Sequence, residues 1–172
     1  MLFRSTATRR ILARMRFFAR HAWKVFAVLG VIVVLFGAGD IGSGGTSFQS
    51  GEAVLFNSMT GTTWDELRAA DPGAAKMIEY LWRAEGAVLV VVGLLTLAIS
   101  LTGLRRGDRW AWYAMWVFPL WIALVYLVFW ISQPDLRSGI PVPLISGAAF
   151  LVITVATLVL SYGQYLRRSS LP

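Results

Sequence analysis

Two carboxylates, Asp40 and Glu85, are the residues of this sequence best placed to do chemistry. Asp40 follows Lys24 by sixteen positions and Glu85 precedes Leu104 by nineteen, which is about 24 Å and about 28 Å along a helix. Both therefore fall at the outer edge of an apolar segment, where an ionisable residue is a candidate for ligand or proton chemistry. We predict that both face the bundle interior at a similar depth. Helix capping and pairing with Arg83 is the structural alternative.

The third apolar segment is rich in aromatic residues and is the second candidate site. Several of its aromatic residues lie deeper than a membrane-interface belt would require. Pro119 frees the carbonyl group of Met115 and predicts a kink there. A kinked aromatic wall can border a cavity for a flat or chain-like apolar ligand, whereas plain packing and lipid contact are the alternative. The predicted ligand-binding residues are Trp116, Trp121, Tyr126, Asp40, Glu85 and Arg83.

Four long apolar segments must position these residues. They cover approximately 22–41, 84–104, 110–131 and 142–162, and about 20 apolar residues suffice for a helix to cross a bilayer. The chain is 57% hydrophobic and 15% charged, with a mean hydropathy of +0.65. We therefore predict an all-α fold, an integral membrane four-helix bundle formed by residues 22–172.

The distribution of basic residues predicts the orientation of the bundle. Twelve of the 16 lysines and arginines precede or begin the first segment, lie between the second and third segments, or follow the fourth. Because basic residues are retained in the cytoplasm, we expect a plasma (inner) membrane protein with cytoplasmic N and C termini and an outer loop at 42–83. Residues 1–21 form a basic amphipathic segment on the cytoplasmic side. A cleaved signal peptide is the alternative interpretation of the first segment, although it lacks a clear A-x-A site.

The basic side of the molecule indicates contact with lipid headgroups. The net charge of +7 is concentrated on the predicted inner rim, where each basic residue near an anionic membrane surface contributes about 1 kcal/mol. Binding of nucleic acid is not required to explain this charge. The residues predicted to contact headgroups are Arg105, Arg106 and Arg109.

The outer loop contains several local signals. Its opening sequence, 42–47, is predicted to be a flexible turn. Thr63 and Glu66 have the spacing of a capping box, which predicts a short helix through Ala70. Pro72 suits the first turn of a long helix that would run from 73 to 104. We expect the short loop helices to lie over the outer mouth of the bundle, with the helix that ends at Ala70 above Asp40 and Glu85.

Small residues recur on one face of three of the apolar segments. Such stripes allow helix backbones to approach closely, so they are predicted to be packing seams, with a polar pore as the alternative. Glu79 and Arg83 should form an i, i+4 ion pair. The stripes comprise Gly30 and Gly37; Gly86, Gly93, Thr96, Ser100 and Gly103; and Gly147, Thr154, Thr157 and Ser161.

Several classes of function are excluded by composition. The chain has no cysteine and a single histidine, so redox dithiols and His/Cys zinc sites cannot form within it, and we predict neither a metal nor a cofactor. No charged residue lies mid-membrane, which argues against an ion-coupled antiporter. The predicted function is that of a multi-pass membrane protein that binds lipid or another apolar molecule, or serves as an accessory subunit of a partner membrane protein. A lipid-modifying enzyme that uses Asp40 and Glu85 as acid and base is the alternative.

The turn between the second and third segments carries a resemblance. The run 105–113, RRGDRWAWY, followed by Pro119, resembles a turn of small uncharacterised bacterial four-span membrane proteins, and the arginine-rich usage is similar to that of such bacteria. The four-span plan with outer-edge acids is loosely similar to the emopamil-binding and sterol-isomerase group. The membrane-embedded histidine and acidic residues of that group have no counterpart here, so no residue role is carried over.

The predicted orientation can be tested with single cysteines, because the chain has none of its own. Cysteines introduced at Ser47 and Ser170 should react with a membrane-impermeant maleimide from opposite sides of the membrane. Reaction from the same side would contradict the four-span topology.

Overall fold

The computed structural model describes residues 6–132 and 134–166, and this part of the chain is helical throughout apart from short connections. Four stretches are long and apolar enough to cross a membrane: His21–Gln49, Pro72–Leu104, Arg109–Ile131 and Val142–Gly163. The described residues contain no β-strand. The prediction of an all-α, multi-pass membrane bundle of four spans is therefore confirmed. The helices are α1 Thr6–Ser43, α2 Ala53–Thr60, α3 Trp64–Ala70, α4 Pro72–Ile99, α5 Arg109–Ala114, α6 Val117–Ile131 and α7 Val142–Leu166.

The bundle has two ends, which we name by the chain segments found there. The loop end carries α2, α3 and the connection between α6 and α7, and the terminus end carries the connection between α4 and α5 together with the last turns of α7. Helix α1 runs without interruption from Thr6 into the first span. The amphipathic character of 1–21 and its placement in the cytoplasm stay predictions, and Ser170 lies outside the described residues.

The closest helix contact in the bundle is between α1 and α4, and it is made by glycines. A Cβ atom added to Gly86 would lie 2.7 Å from the carbonyl oxygen of Gly37, and one added to Gly93 would lie 2.7 Å from that of Gly30. Real Cβ atoms do not tolerate such distances, so the two backbones are in direct contact. The predicted seam between the first and second spans is thereby confirmed.

The hydroxyl groups on the predicted stripes bond within their own helices. Ser100 Oγ donates to the carbonyl oxygen of Thr96 at 2.6 Å, and Thr154 Oγ1 donates to that of Phe150 at 2.8 Å. Bonds of this kind satisfy polar groups inside a membrane. The hydroxyls of Ser100, Thr154 and Ser161 are buried, whereas Thr157 is only half-buried.

The second span ends differently from the predicted continuous α-helix. A π-helical turn, Ser100–Leu104, replaces the last α-turn. The hydroxyl of Ser100 shares the carbonyl oxygen of Thr96 with the backbone, and such back-bonding loosens the regular ladder. Gly103 also lets the indole of Trp110 approach, since a Cβ there would lie 2.7 Å from that ring.

Pro119 interrupts the third span as predicted. Helix α5 ends at Ala114 and α6 begins at Val117, and the carbonyl oxygen of Met115 accepts from the backbone N–H of Phe118 at 3.2 Å instead of from the missing N–H of Pro119. The break divides the aromatic residues of this span into two groups. Trp121 and Tyr126 lie on one side of this break and Trp116 on the other.

An aromatic cluster holds the loop over one end of the bundle. The rings of Phe48, Phe56, Trp64 and Trp82 have centroids 4.9 to 5.4 Å apart. The capping box of Thr63 and Glu66 is present and begins α3, as predicted. The predicted flexible turn is instead a 3₁₀ helix, Gly44–Gln49, because Phe48 anchors it and because Gly44 adopts a positive φ of 49° that suits glycine.

The glycine seam predicts a contrast between two neighbouring substitutions. In Gly37→Ala the new methyl group meets the backbone of α4, and overpacking of this kind typically costs about 1–3 kcal/mol. In Gly39→Ala nothing lies within 4 Å of the new Cβ, so the helix should be unchanged or stabilised by up to about 1 kcal/mol. Thermal unfolding in mild detergent, followed by circular dichroism, measures both. Equal midpoints for the two variants would contradict the close approach of α1 and α4.

Candidate ligand-binding cavity

An apolar cavity of about 220 Å³ lies at the loop end of the bundle. All four spans contribute to its wall, and Leu55 of α2 is the contribution of the outer loop. Most of its lining side chains are aliphatic or aromatic. They include Val33 and Phe36 from α1, Leu89 from α4, Trp121, Ile122, Val125, Tyr126 and Phe129 from α6, and Leu144 and Phe150 from α7.

The cavity follows from the order in which the helices pack. Helix α1 packs on both α4 and α7, and α6 packs on α7, while α4 and α6 make little direct contact. Tyr126 ties α6 to α7 by donating its hydroxyl proton to the carbonyl oxygen of Leu144. Phe36 of α1 stacks on Phe150 of α7 with ring centroids 6.4 Å apart. The space between α4 and α6 is therefore left open.

Two polar groups of the wall have no protein partner. Trp82 Nε1 is buried and makes no hydrogen bond within the described residues. The carboxylate of Glu85, one turn further along α4, likewise forms neither a hydrogen bond nor an ion pair there. The other polar groups are satisfied, since Tyr126 bonds to Leu144 and the hydroxyl of Ser146 donates to the carbonyl oxygen of Val142 at 3.3 Å. A buried indole N–H normally finds an acceptor, so Trp82 and Glu85 mark the polar end of the cavity.

Asp40 and Glu85 lie at neighbouring places on the glycine seam. A Cβ atom on Gly86, the residue after Glu85, would lie 2.9 Å from the Cβ of Asp40. Asp40 is half-buried but is not one of the cavity-lining residues, whereas Glu85 is. The structure therefore brings the two residues close together but gives only Glu85 to the cavity.

A third carboxylate, Glu52, joins them from the loop. It occupies the N-cap position of α2, and its Oε2 atom is buried without a hydrogen-bond partner. Burial raises the pKa of Glu52 above its ordinary value, and the negative charges of Asp40 and Glu85 raise it further. Sequence reasoning missed this residue because nothing in the local sequence places Glu52 beside Asp40 and Glu85.

The helix that reaches the cavity is not the predicted one. We expected the short helix ending at Ala70 to lie above Asp40 and Glu85, but the loop residue in the cavity wall is Leu55 of α2. Trp64 of α3 instead packs sideways against Phe48 and Phe56. Trp82, which the sequence did not single out as a ligand-binding residue, also lines the cavity.

The remaining predicted site residues lie elsewhere. Arg83 pairs with Glu79 at 2.7 Å, beside Gly44. Trp116 is on the far side of the Pro119 break and packs against the core at the terminus end, in edge contact with Trp112. Neither Arg83 nor Trp116 lines the cavity.

The three arginines predicted to contact headgroups all lie at the terminus end. Arg105 lies over the ring of Trp23, 5.5 Å from its centroid. Arg109 Nε donates to the carbonyl oxygen of Tyr165 at 3.3 Å, and Arg106 is exposed. Their contact with lipid stays a prediction.

No group of three or more potential metal ligands occurs among the residues that the structure describes. Comparison with protein-family models, with curated proteins and with solved structures gives no match. The fold and the cavity therefore define the class, a multi-pass helical membrane protein with an apolar cavity at one end of its bundle.

The raised pKa of Glu52 predicts how stability depends on pH. The folded state binds the Glu52 proton more tightly than the unfolded state, so this contribution to stability is complete below the ordinary glutamate pKa and is lost as the pH rises through the raised value. The variant Glu52→Gln has no ionisable group at this position, so it does not lose stability as the pH rises. We expect the variant to be more stable than the wild type at pH 7, and the difference to shrink towards pH 4.

Glu66→Gln is the matched control, because its expected effect on stability at pH 7 has the opposite sign. Hydrogen bonds from the backbone N–H of Thr63 and the hydroxyl of Thr62 hold the pKa of Glu66 below its ordinary value. Its contribution is present above that ordinary value and is lost as the pH falls, so this variant should be less stable than the wild type at pH 7. Thermal midpoints in detergent between pH 4 and pH 8 measure both variants. A Glu52→Gln variant that is less stable at pH 7 would contradict the buried position of Glu52.

Proposed function

We propose that this protein binds a lipid or another apolar molecule in the loop-end cavity. The observation that carries this proposal is an apolar cavity whose wall contains the carboxylate of Glu85 and the buried, unpartnered indole N–H of Trp82. A cavity of about 220 Å³ exceeds the roughly 150 Å³ that accepts a benzene-sized ligand. It has room for a ring or for a segment of an acyl chain.

The bilayer is the natural source of such a ligand. Because α4 and α6 make little contact, the cavity has no continuous protein wall between these spans. Phe36 and Val125 line the cavity and are still 52% and 46% exposed. A lipid chain can therefore move in sideways from the surrounding membrane without crossing a polar surface.

The distribution of basic residues supports an orientation in the plasma membrane with both termini in the cytoplasm. The cavity then opens in the outer leaflet, and the arginines of the α4–α5 connection contact headgroups of the inner leaflet. An accessory role beside a partner membrane protein is compatible with this arrangement.

The enzyme alternative is less well supported. An acid and a base that act on one substrate must both reach it, and of Asp40 and Glu85 only Glu85 lines the cavity. Binding requires only the cavity and its unpartnered polar groups.

Filling the cavity tests the proposal. The protein is placed in phosphatidylcholine nanodiscs together with a phosphatidylcholine that carries a diazirine in its acyl chain, and photolabelling is located by tandem mass spectrometry. Ile122 lines the cavity and is only 5% exposed, so its labelling reports ligand inside the cavity. Leu127 is exposed and does not line the cavity, so its labelling reports bulk lipid.

We expect Val125→Phe to reduce labelling of Ile122 several-fold and to leave that of Leu127 unchanged. Val128→Phe is the matched control, because Val128 lies on the same helix and is 63% exposed but does not line the cavity. It should leave both signals unchanged. Absence of Ile122 labelling in the wild type would refute binding of acyl chains in the cavity.

A further inference from the structure

We propose that the cavity is selective for an amphiphile with a cationic, ammonium-bearing head, which Glu85 binds while the apolar chain fills the cavity below it. This inference rests on the proposed function and adds the chemical class of the ligand's head. It is drawn from the polar groups at one end of the cavity and from their charge.

The cavity is polar at one end only. Trp82 and Glu85 belong to the first half of α4, and Leu89 is one turn deeper, about 6 Å along the helix axis. Val33 and Ile122, which line the cavity at greater depth, are both buried and apolar. A ligand bound here therefore has its polar head beside Glu85 and its chain directed towards the middle of the bundle.

The charge at the polar end is negative and uncompensated. Asp40 lies beside the same glycine seam as Glu85, and Glu52 lies close enough to feel the charges of both. Among the side chains that the structure describes, no lysine or arginine forms a salt bridge with any of the three. Arg83, the nearest arginine along the chain, is already paired with Glu79.

A cation would pair with the negative charge at this end of the cavity. Asp40 and Glu52 are half-buried and Glu85 is exposed at the mouth of the cavity, and carboxylates that lose water are costly unless they are paired and hydrogen-bonded. An ammonium group supplies both a positive charge and donor protons. A free carboxylate or phosphate head would be repelled by Glu85 and its neighbours. The unpartnered indole N–H of Trp82 adds a donor, which a hydroxyl or carbonyl oxygen next to the ammonium group can accept.

The test compares three amphiphiles with the same chain and different heads. Dodecylamine, dodecanol and dodecanoate compete in turn with the diazirine phosphatidylcholine for labelling of Ile122, at equal mole fractions in the nanodisc. A hydrogen bond to a charged group contributes about 1.5–3 kcal/mol, and each 1.4 kcal/mol is tenfold in affinity. We therefore expect dodecylamine to compete at least tenfold more effectively than dodecanol, and dodecanoate to compete least.

Glu85→Gln should reduce the advantage of dodecylamine over dodecanol to about twofold or less. Asp108→Asn is the matched control, because it removes one negative charge at the terminus end, away from the cavity. It should leave the advantage intact. The circular dichroism spectrum and thermal midpoint of Glu85→Gln, compared with those of the wild type, show whether the variant is folded.

The outcomes separate the two proposals. Equal competition by all three amphiphiles, or a stronger effect of dodecanol or dodecanoate, overturns the cationic selectivity and leaves the binding of apolar chains intact. Persistence of the amine advantage in Glu85→Gln overturns the assignment of Glu85 as its origin. Failure of every amphiphile to compete, together with no labelling of Ile122, overturns both proposals.

Discussion

The direct backbone contact between α1 and α4 is the constraint on which the rest of this structure depends. Inside a membrane there is no hydrophobic drive to bring helices together, so close packing must supply the association energy. Glycines on both helices remove the side chains that would keep the backbones apart. This contact places Asp40 beside Gly86, and hence beside Glu85, so two carboxylates from distant parts of the sequence share one region.

The position of the cavity follows from which helices contact each other. Helix α4 is engaged with α1, while α6 is engaged with α7 through Tyr126 and neighbouring apolar side chains. Helix α1 joins the two sides, because it packs on α7 as well as on α4. The cavity thus lies between α4 and α6, the two spans that make little direct contact.

Much of this architecture was predictable from local pattern. Length and hydropathy specify the four spans, the spacing of glycines specifies the α1–α4 seam, and the capping box of Thr63 and Glu66 specifies the start of α3. Trp121, Tyr126 and Glu85 were also identified as candidates before their common cavity was visible. In each case the physical signal lies within a few turns of one helix.

The features that could not be predicted depend on contacts between distant segments. Glu52 belongs to the cavity region only because the aromatic cluster of Phe48, Phe56 and Trp64 folds the loop back on itself. Trp116 was placed with Trp121 because both lie on one span, but the break at Pro119 sends their side chains to different cores. A single helical wheel cannot represent a span that consists of two helices with a turn between them.

That break also has a mechanical consequence. Below it, the terminus end is cross-linked by hydrogen bonds: Trp112 Nε1 to the carbonyl oxygen of Leu158 at 3.1 Å, and the hydroxyl of Tyr165 to that of Leu104 at 3.0 Å. Above it, α6 is a helix of 15 residues, about 22 Å long. It begins after the turn at Met115 and Trp116, which can act as its hinge. A tilt of α6 by roughly 5° about that turn moves the end of the helix nearest the loop by about 2 Å. The angle of α6, which the bond from Tyr126 to Leu144 links to α7, therefore contributes to the width of the cavity, while hydrogen bonds between helices hold the opposite end of the bundle together.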